Sequence, residues 1–290
     1  MRGRAGRARA PGTCGELVQG SLGGVDFLVT CPVDLYSTVE VRILDRSGSW
    51  HCPPGYEKTL RAVRETARRL GYPQAGGCIR VDSPIPRGKG MASSTADVAA
   101  ACLATARALG VWLDPHAIAD IALDIEPTDG LMYPGIALFD HRRGMLRQSL
   151  GMPPPLEILV VDTGGEVDTA GFNRRSDLGR LNRDKEPAVR EALALVAEGI
   201  KRGDPSLVGR GATLSAVAHQ PVLGKPALEE VIALSREAGA VGVNVAHSGT
   251  VVGLLFDARE NRLQEARAVL QELLNGQPLL SCRVIGGGVH

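Results

Sequence analysis

Aromatic residues are scarce in this chain: phenylalanine, tryptophan and tyrosine together make up 3% of its 290 residues. The scarcity disfavours sites that stack nucleic-acid bases or sugars on aromatic rings, and it leaves alanine, valine and leucine to pack the core. An excess of charge of one sign is also lacking, since 33 basic and 32 acidic residues give a formal net charge of +1. We therefore expect no broad cationic surface for nucleic acid or membrane, and a small-molecule ligand instead.

Long hydrophobic runs and metal-type cysteine spacings are missing too. No apolar stretch is long enough to cross a bilayer, and the arginine-rich start MRGRAGRARA is not followed by the hydrophobic segment of a signal peptide. The six cysteines are scattered without a Cys-x-x-Cys pair, which predicts reduced, mostly buried thiols. We expect a cytoplasmic protein, and we interpret its first ten residues as a frayed, solvated terminus.

Periodicity and turn signals predict an α+β protein with two lobes. The predicted elements are strands at 14–19, 27–30, 36–44 and 78–82, helices at 58–70, 94–109 and 115–125, strands at 133–140, 145–148 and 156–163, helices at 188–201, 206–218, 227–238 and 260–274, and strands at 241–246, 251–256 and near 283. The proline-rich segment GMPPP is typical of a stiff connector. We place the lobe boundary there, giving an N-terminal lobe at 1–152 and a C-terminal lobe at 153–290.

The stretch SPIPRGKGMASSTADVAAA predicts an anion-binding loop in front of a helix. Gly88 and Gly90 let the backbone bend close to a ligand, and the helix adds unpaired N–H groups and the positive end of its dipole. A P-loop is excluded because Lys89 is followed by glycine, and a dinucleotide fingerprint lacks its third glycine. Ser94 either caps the helix together with Asp97 or reaches a metal ion, and the sequence leaves both interpretations open.

The pattern that begins at Pro86, P-x-x-x-G-M-A-S-S-T, resembles the second motif of the GHMP kinases, the superfamily of galactokinase, homoserine kinase and mevalonate kinase. Two further stretches match in the right order: APGTCGELVQG at 10–20 resembles the first motif, and AHSGTVVGLLF at 246–256 resembles the third. The resemblance implies a two-lobed GHMP kinase fold, with an N-terminal lobe related to a ribosomal-protein domain and a ferredoxin-like α+β C-terminal lobe. PGTCGELVQG, EPTDG, VVDTGG and AHQ are more similar to the L-threonine kinases of adenosylcobalamin synthesis than to the homoserine or mevalonate branches.

That resemblance implies an ATP-dependent and Mg²⁺-dependent kinase that converts L-threonine to O-phospho-L-threonine, the source of the aminopropanol linker of adenosylcobalamin. It implies that Ser94 and Glu126 hold the metal, and a glutamate at the end of a helix, where it opposes the helix dipole, favours a functional role. The residues implied in nucleotide binding are Pro86, Arg87, Gly88, Lys89, Gly90, Met91, Ala92, Ser93, Ser94 and Thr95. A kinase of another small alcohol, such as homoserine or an isoprenoid precursor, stays open, as do a non-catalytic nucleotide sensor or RNA-binding protein and the oligomeric state, a homodimer included.

Further charged side chains are candidates for catalysis and substrate binding. Asp129 is either the base that accepts the substrate hydroxyl proton or a residue that stabilises the Asp-Gly turn, and Lys89 is a candidate to pair with phosphate. Glu16 is predicted to meet the ammonium of an amino-acid substrate, and Arg174 or Arg175 its carboxylate. The other candidates for substrate contact are Gly12, Thr13, His219, His247 and Gly249.

Overall fold

The computed structural model describes residues 4–45, 47–164, 175–225, 228–273 and 279–290. The strands are β1 (Arg4–Leu22), β2 (Val25–Asp45), β3 (Trp50–His51), β4 (Gly76–Asp82), β5 (Ile136–Phe139), β6 (Arg147–Gly151), β7 (Leu156–Asp162), β8 (Gly242–Val245), β9 (Val251–Asp257) and β10 (Leu280–Arg283). The helices are α1 (Glu57–Arg69), α2 (Ser93–Leu109), α3 (Pro115–Ile125), α4 (Leu178–Asp184), α5 (Glu186–Arg202), α6 (Pro205–His219), α7 (Leu228–Glu237) and α8 (Leu263–Leu273), and Ala258–Glu260 forms a 3-10 turn.

The ten strands of the described chain form one sheet. Its main path is β10-β7-β9-β8-β1-β2-β4-β3, and β5 pairs with both β2 and β6. β1 and β2 form a long antiparallel hairpin whose turn residues, Gly23 and Gly24, have φ of 57° and 83°, a backbone conformation that glycine adopts without a Cβ clash. β1 also pairs with β8, at Glu16 and Val245. This strand therefore joins the two halves of the sheet and carries Glu16 to their junction.

Residues 4–10 form part of β1, so the prediction of a frayed terminus is wrong for this segment, while residues 1–3 lie outside the described residues. Residues 4–10 pair with β2, with Ala8 and Ala10 buried and the arginines exposed. Arg9 lies over the ring of Tyr36, with its Cζ 4.4 Å from the ring centroid. The alternation of arginine with small residues has the period of a strand with one buried face, which outweighs the solvation expected from the charge alone.

Helix α2 packs its small side chains directly against the sheet. Ala99, Ala100 and Ala104 are fully buried, and a Cβ on Gly6 of β1 would lie 2.1 Å from the Ala104 carbonyl oxygen. Larger side chains would not fit this close packing. Gly110 ends the helix at φ 72°, as predicted. The alanine run therefore fixes the position of the helix that opens at the candidate site.

Most other predicted elements are present with shifted ends. Helix α3 has the predicted N-cap, because the side chain of Asp114 accepts a hydrogen bond from the Ala117 N–H at 2.8 Å. Strand β3, helix α4 and the 3-10 turn are additions that the patterns do not predict. The prolines of GMPPP lie between β6 and β7, but the sheet continues through both halves, so the lobe boundary stays a prediction.

Two predictions made from composition, on the cysteines and on membrane-spanning segments, can be compared with the structure. All six cysteines are free thiols, and four of them, Cys14, Cys31, Cys102 and Cys282, are buried, as predicted. In the parts of the chain that are described, no helix combines the length and the apolar character needed to cross a membrane.

Candidate active site

Three sequence motifs meet at the N-terminal end of α2. The Thr13 N–H, from the first motif, donates to the Met91 carbonyl oxygen at 3.0 Å. The Thr250 N–H, from the third motif, donates to the Lys89 carbonyl oxygen at 3.0 Å. The glycine-rich second motif is therefore held between β1 and the turn that joins β8 to β9.

The backbone of the glycine-rich loop takes the left-handed conformation at three positions. Gly88 and Gly90 have φ of 72° and 83°, and Ala92, directly before α2, has φ 55°. An alanine in this left-handed conformation costs about 1 kcal/mol, a strain that is typical of functional sites. A Cβ on Gly249 would lie 2.3 Å from the Lys89 carbonyl oxygen, so the third motif packs directly on the loop.

A cavity of about 280 Å³ opens in front of this helix end. Its wall includes three carboxylates, those of Glu16, Glu126 and Asp129, and two imidazoles, those of His141 and His247. Seven of the ten predicted nucleotide-binding residues also line it, namely Gly88, Gly90, Met91, Ala92, Ser93, Ser94 and Thr95. The cavity therefore joins a helix N-terminus, which favours anions, to a group of acidic side chains.

Ser94 and Glu126, the two predicted metal ligands, are in contact. Ser94 Oγ donates to Glu126 Oε1, and Lys58 Nζ lies 2.5 Å from Glu126 Oε2. The alternative in which Ser94 and Asp97 form a capping box is wrong, because α2 has no side-chain cap and Asp97 accepts from Ser37 Oγ at 2.5 Å. A hydroxyl oxygen and a carboxylate oxygen side by side are oxygen ligands of the kind that Mg²⁺ prefers. This ion takes its other ligands from phosphate and water.

Asp129 lies beside the first turn of α2. Thr95 Oγ1 donates to Asp129 Oδ2 at 3.3 Å, and Thr128 Oγ1 donates to Thr95 Oγ1 at 3.3 Å. Burial raises the pKa of Asp129 to about 6; the Thr95 hydrogen bond opposes this rise and the charge of Glu126 adds to it. A carboxyl group with a pKa near 6 is ionised at neutral pH yet basic enough to accept a proton in a reaction.

Glu16 is a buried carboxylate with an unpartnered oxygen. Its residue is 4% exposed, and Oε2 has no hydrogen-bond partner among the described residues. Burial, and then the negative charge of Asp129, raises the pKa of Glu16 well above its usual range. Because a buried carboxylate without donors is costly, a cationic ligand would stabilise this position.

His247 is held from behind by a chain of hydrogen bonds. Its Nδ1 lies 2.8 Å from Gln19 Oε1, and Gln19 Nε2 donates to the Val245 carbonyl oxygen at 3.2 Å. His219 stands behind it with ring centroids 5.4 Å apart, and Lys185 Nζ lies 3.0 Å from His219 Nδ1. Burial lowers the pKa of both imidazoles well below the usual value. His247 therefore faces the cavity as a fixed, neutral ring, while His219 supports it.

Known proteins resemble this chain over most of its length. The model of the N-terminal domain of GHMP kinases matches residues 57–137, and the model of the C-terminal domain matches 196–276. An L-threonine kinase of Salmonella typhimurium is 37% identical over 271 residues, which cover 91% of this chain and 87% of that protein. An L-threonine kinase of Citrobacter freundii is 38% identical over 270 residues, which cover 91% of each. The chain belongs to the GHMP kinase family.

The family assignment confirms the predicted fold and the class of enzyme. A GHMP kinase is a phosphotransferase with an alcohol group as acceptor, and ATP is the phosphoryl donor expected for the family. A homoserine kinase of Cytophaga hutchinsonii has the same fold, with a TM-score of 0.76 at 18% identity over 99% of this chain and 97% of that one.

Three predicted nucleotide residues of this GHMP kinase do not line the cavity. Lys89 Nζ pairs with Asp162 Oδ2 at 2.8 Å, so contact between Lys89 and phosphate would require this ion pair to exchange. Arg87 lies over the ring of Tyr56, 4.2 Å from its centroid. Pro86 is exposed at the start of the loop.

The predicted substrate residues divide in the same way. Glu16 and His247 line the cavity, whereas Gly12 and Thr13 lie beneath the loop, where a Cβ on Gly12 would be 3.0 Å from the Met91 carbonyl oxygen. Gly249 contacts the loop through its backbone, next to Gly90.

Arg175 does not line the cavity in the described structure. Arg175 pairs with Asp177, with Nη2 2.7 Å from Oδ2, and its Nη1 donates to the Val222 carbonyl oxygen at 2.5 Å. Arg174 lies outside the described residues.

The sequence does not predict two of the polar cavity residues. Lys58 lies in the first turn of α1, on an amphipathic helix, where an exposed lysine belongs to no motif. His141 lies just beyond the fully buried strand β5, whose apolar residues IALF indicate only weakly that the chain stays buried after the strand ends. Both are identified only by their position in the fold.

Proposed function

We propose that the enzyme transfers the γ-phosphoryl group of ATP to the side-chain hydroxyl of L-threonine, giving O-phospho-L-threonine and ADP. The observation that carries this proposal is that Ser94, Glu126, Asp129 and Glu16 line one cavity. Such a cavity combines a site for a metal-bound nucleotide, a proton acceptor and an anionic partner for an amino group. The L-threonine kinases of Salmonella typhimurium and Citrobacter freundii support threonine as the acceptor, because the similarity covers 91% of this chain.

The nucleotide phosphates bind at the glycine-rich loop and the N-terminus of α2, where N–H groups and the helix dipole favour negative charge. Ser94 and Glu126 would hold Mg²⁺, which would neutralise charge on the transferring phosphoryl group. Lys58, next to Glu126, adds a positive charge at the mouth of this site.

Threonine binds with its ammonium at Glu16 and its hydroxyl at Asp129. The hydroxyl oxygen attacks the γ-phosphorus, and the bond between that phosphorus and the β,γ-bridging oxygen breaks as ADP leaves. Asp129 accepts the hydroxyl proton, which its pKa near 6 permits.

The proposal extends to the biological setting through the resemblance to adenosylcobalamin enzymes. The product would supply the aminopropanol linker of that cofactor, and the need for ATP leads us to expect a cytoplasmic enzyme. Neither point changes the chemistry expected at the cavity.

The experiment is ADP release measured with L-threonine, L-serine, L-homoserine, mevalonate and galactose, with the product identified by ³¹P NMR. We expect the highest kcat/KM with L-threonine and a phosphomonoester signal coupled to a single proton. Turnover of homoserine or mevalonate without turnover of threonine would refute the substrate and leave the family intact. ATP binding without turnover of any acceptor would favour the nucleotide sensor.

A further inference from the structure

His141 is a polar side chain of the cavity that has no part in the proposed phosphoryl transfer. It is 4% exposed, and neither ring nitrogen has a hydrogen-bond partner among the described residues. The Thr128 N–H donates to the His141 carbonyl oxygen at 2.9 Å, which holds the His141 backbone next to the Asp129 turn. Burial, and then the charge of Arg142, lowers the pKa of His141 to about 4. The ring is therefore neutral, with one N–H donor and one acceptor, and the unused donor needs an acceptor.

Neither of the neighbouring imidazoles accepts a hydrogen bond from His141 in the described structure. His141 stands edge-on to His247, with ring centroids 5.1 Å apart and an interplanar angle of 65°. The hydrogen bond between His247 Nδ1 and Gln19 Oε1 places the His247 proton on Nδ1, and His219 is bonded to Lys185. Of these three rings, His141 is the one with both nitrogens available to a ligand in the cavity.

The charges around His141 favour an anion rather than a cation. The positive charges of Lys185 and Arg142 act on the neighbouring His247, and Arg142 acts on His141 itself. Asp140, the adjacent carboxylate, opposes them, but its oxygens accept hydrogen bonds from the N–H groups of Arg142, Arg143 and Met145 in the turn. The same cavity has its acidic groups at Glu16 and Asp129. A ligand with separate positive and negative groups matches this division of charge.

We propose that the His141 N–H binds the α-carboxylate of the amino-acid substrate while Glu16 binds its α-ammonium. This inference rests on the proposed function, because it takes the acceptor to be an amino acid. It assigns a substrate-binding role to a residue outside the three sequence motifs. His141 would also take the role predicted for Arg175, which forms an ion pair with Asp177.

The test compares L-threonine with L-threoninamide, which keeps the ammonium and the hydroxyl but lacks the carboxylate charge. The variants are His141→Leu, His141→Phe, which nearly fills the volume of the ring, and His141→Gln, which restores an N–H donor. The matched control is His116→Leu, because His116 is exposed and contacts Tyr133 outside the cavity. Steady-state kinetics for both acceptors and the KM for ATP are measured for every variant.

A hydrogen bond to a charged group predicts a loss of roughly 10- to 100-fold in kcat/KM for threonine in the leucine and phenylalanine variants, mainly through KM. The same variants should change kcat/KM for threoninamide less than about threefold, and His141→Gln should recover most of the threonine activity. A purely structural role would lower the activity on both acceptors alike.

Equal losses on the two acceptors, or no loss on threonine, would overturn the role of His141 and leave the threonine kinase intact. If His141→Leu does not fold, the phenylalanine and glutamine variants give the same comparison. Wild-type enzyme that fails to phosphorylate threonine would instead refute the proposed function, and the role of His141 with it.

Discussion

The substitution Asp129→Asn tests whether Asp129 is a catalytic base or a residue that stabilises the turn. If Asp129 is a base, the substitution should lower activity and raise stability. Burial raises the pKa of Asp129 to about 6. From about pH 4 to about pH 6 the folded protein therefore binds more protons than the unfolded chain, and its stability falls as the pH rises. Above this range the ionised carboxylate costs at most about 3 kcal/mol, since one pKa unit corresponds to about 1.4 kcal/mol.

Asparagine keeps the shape of the side chain and removes this charge. At pH 8 we expect Asp129→Asn to lower kcat by about 100-fold or more and to raise the Tm by several degrees. At pH 4.5 the carboxyl group is mostly protonated in the folded protein but still mostly ionised in the unfolded chain, so the difference in Tm should fall to about a third of its value at pH 8. Asp124→Asn is the matched control, because Asp124 is exposed and pairs with Arg69 at the surface.

The measurements are thermal unfolding at both pH values and kcat/KM for threonine across pH 5 to 9. Wild-type kcat/KM should rise through about pH 6 as Asp129 ionises and then level off, and the variant should lack this limb. Near-wild-type turnover of the variant at pH 8 would refute the role as a base. Lost turnover together with a lower Tm at pH 8 would show that the carboxylate stabilises the turn.

Three further outcomes test other parts of the cavity. Glu126→Gln should weaken ATP binding in the presence of Mg²⁺ but not in its absence, and it should lower turnover by about 100-fold or more. Titration calorimetry and steady-state kinetics measure the two effects. Equal ATP binding with and without Mg²⁺ in the wild-type enzyme would contradict the metal assignment. Gly249→Ala places a Cβ 2.3 Å from a carbonyl oxygen of the loop. It should therefore lower the free energy of unfolding by about 1–3 kcal/mol and weaken ATP binding. Gly179→Ala is the control and should do neither, because the nearest atom to its added Cβ lies at 3.6 Å. Threonine binding should release a proton from Glu16, because an ammonium partner lowers its raised pKa; calorimetry in two buffers of different ionisation enthalpy would detect this, and Glu16→Gln should abolish it.

The meeting of the three sequence motifs at the N-terminal end of α2 could be predicted from the sequence, because each motif is a local pattern of residues. The glycine turn and its helix specify a local backbone conformation, and the pairing of Ser94 with Glu126 is implied by the resemblance to the GHMP kinases. Gly110 and Asp114 mark the opposite ends of the same two helices, as a C-terminal glycine and an N-cap followed by proline. Local chemistry was sufficient for these features.

The remaining features depend on contacts between distant parts of the chain. Residues 4–10 belong to strand β1, with Gly6 packed against α2, although the charges of the same segment suggest a solvated tail. His141 and Lys58 reach the cavity from two elements that share no motif with it. The pairing of Lys89 with Asp162 likewise depends on how β7 lies beside the loop. Sequence patterns carry no information on such distances.

The two acidic groups of the cavity give substrate binding a role in ionisation. Glu16 and Asp129 both have raised pKa values because they are buried, and the charge of Asp129 adds to the rise at Glu16. Two negative charges are therefore costly in the empty cavity, although Glu16 must be ionised to hold an ammonium and Asp129 must be ionised to accept a proton. The ammonium of threonine supplies the missing positive charge, so binding the correct substrate makes both ionised states favourable. An acceptor without an amino group, such as 3-hydroxybutyrate, would lose this compensation as well as a hydrogen bond, so we expect its kcat/KM to fall below that of threonine.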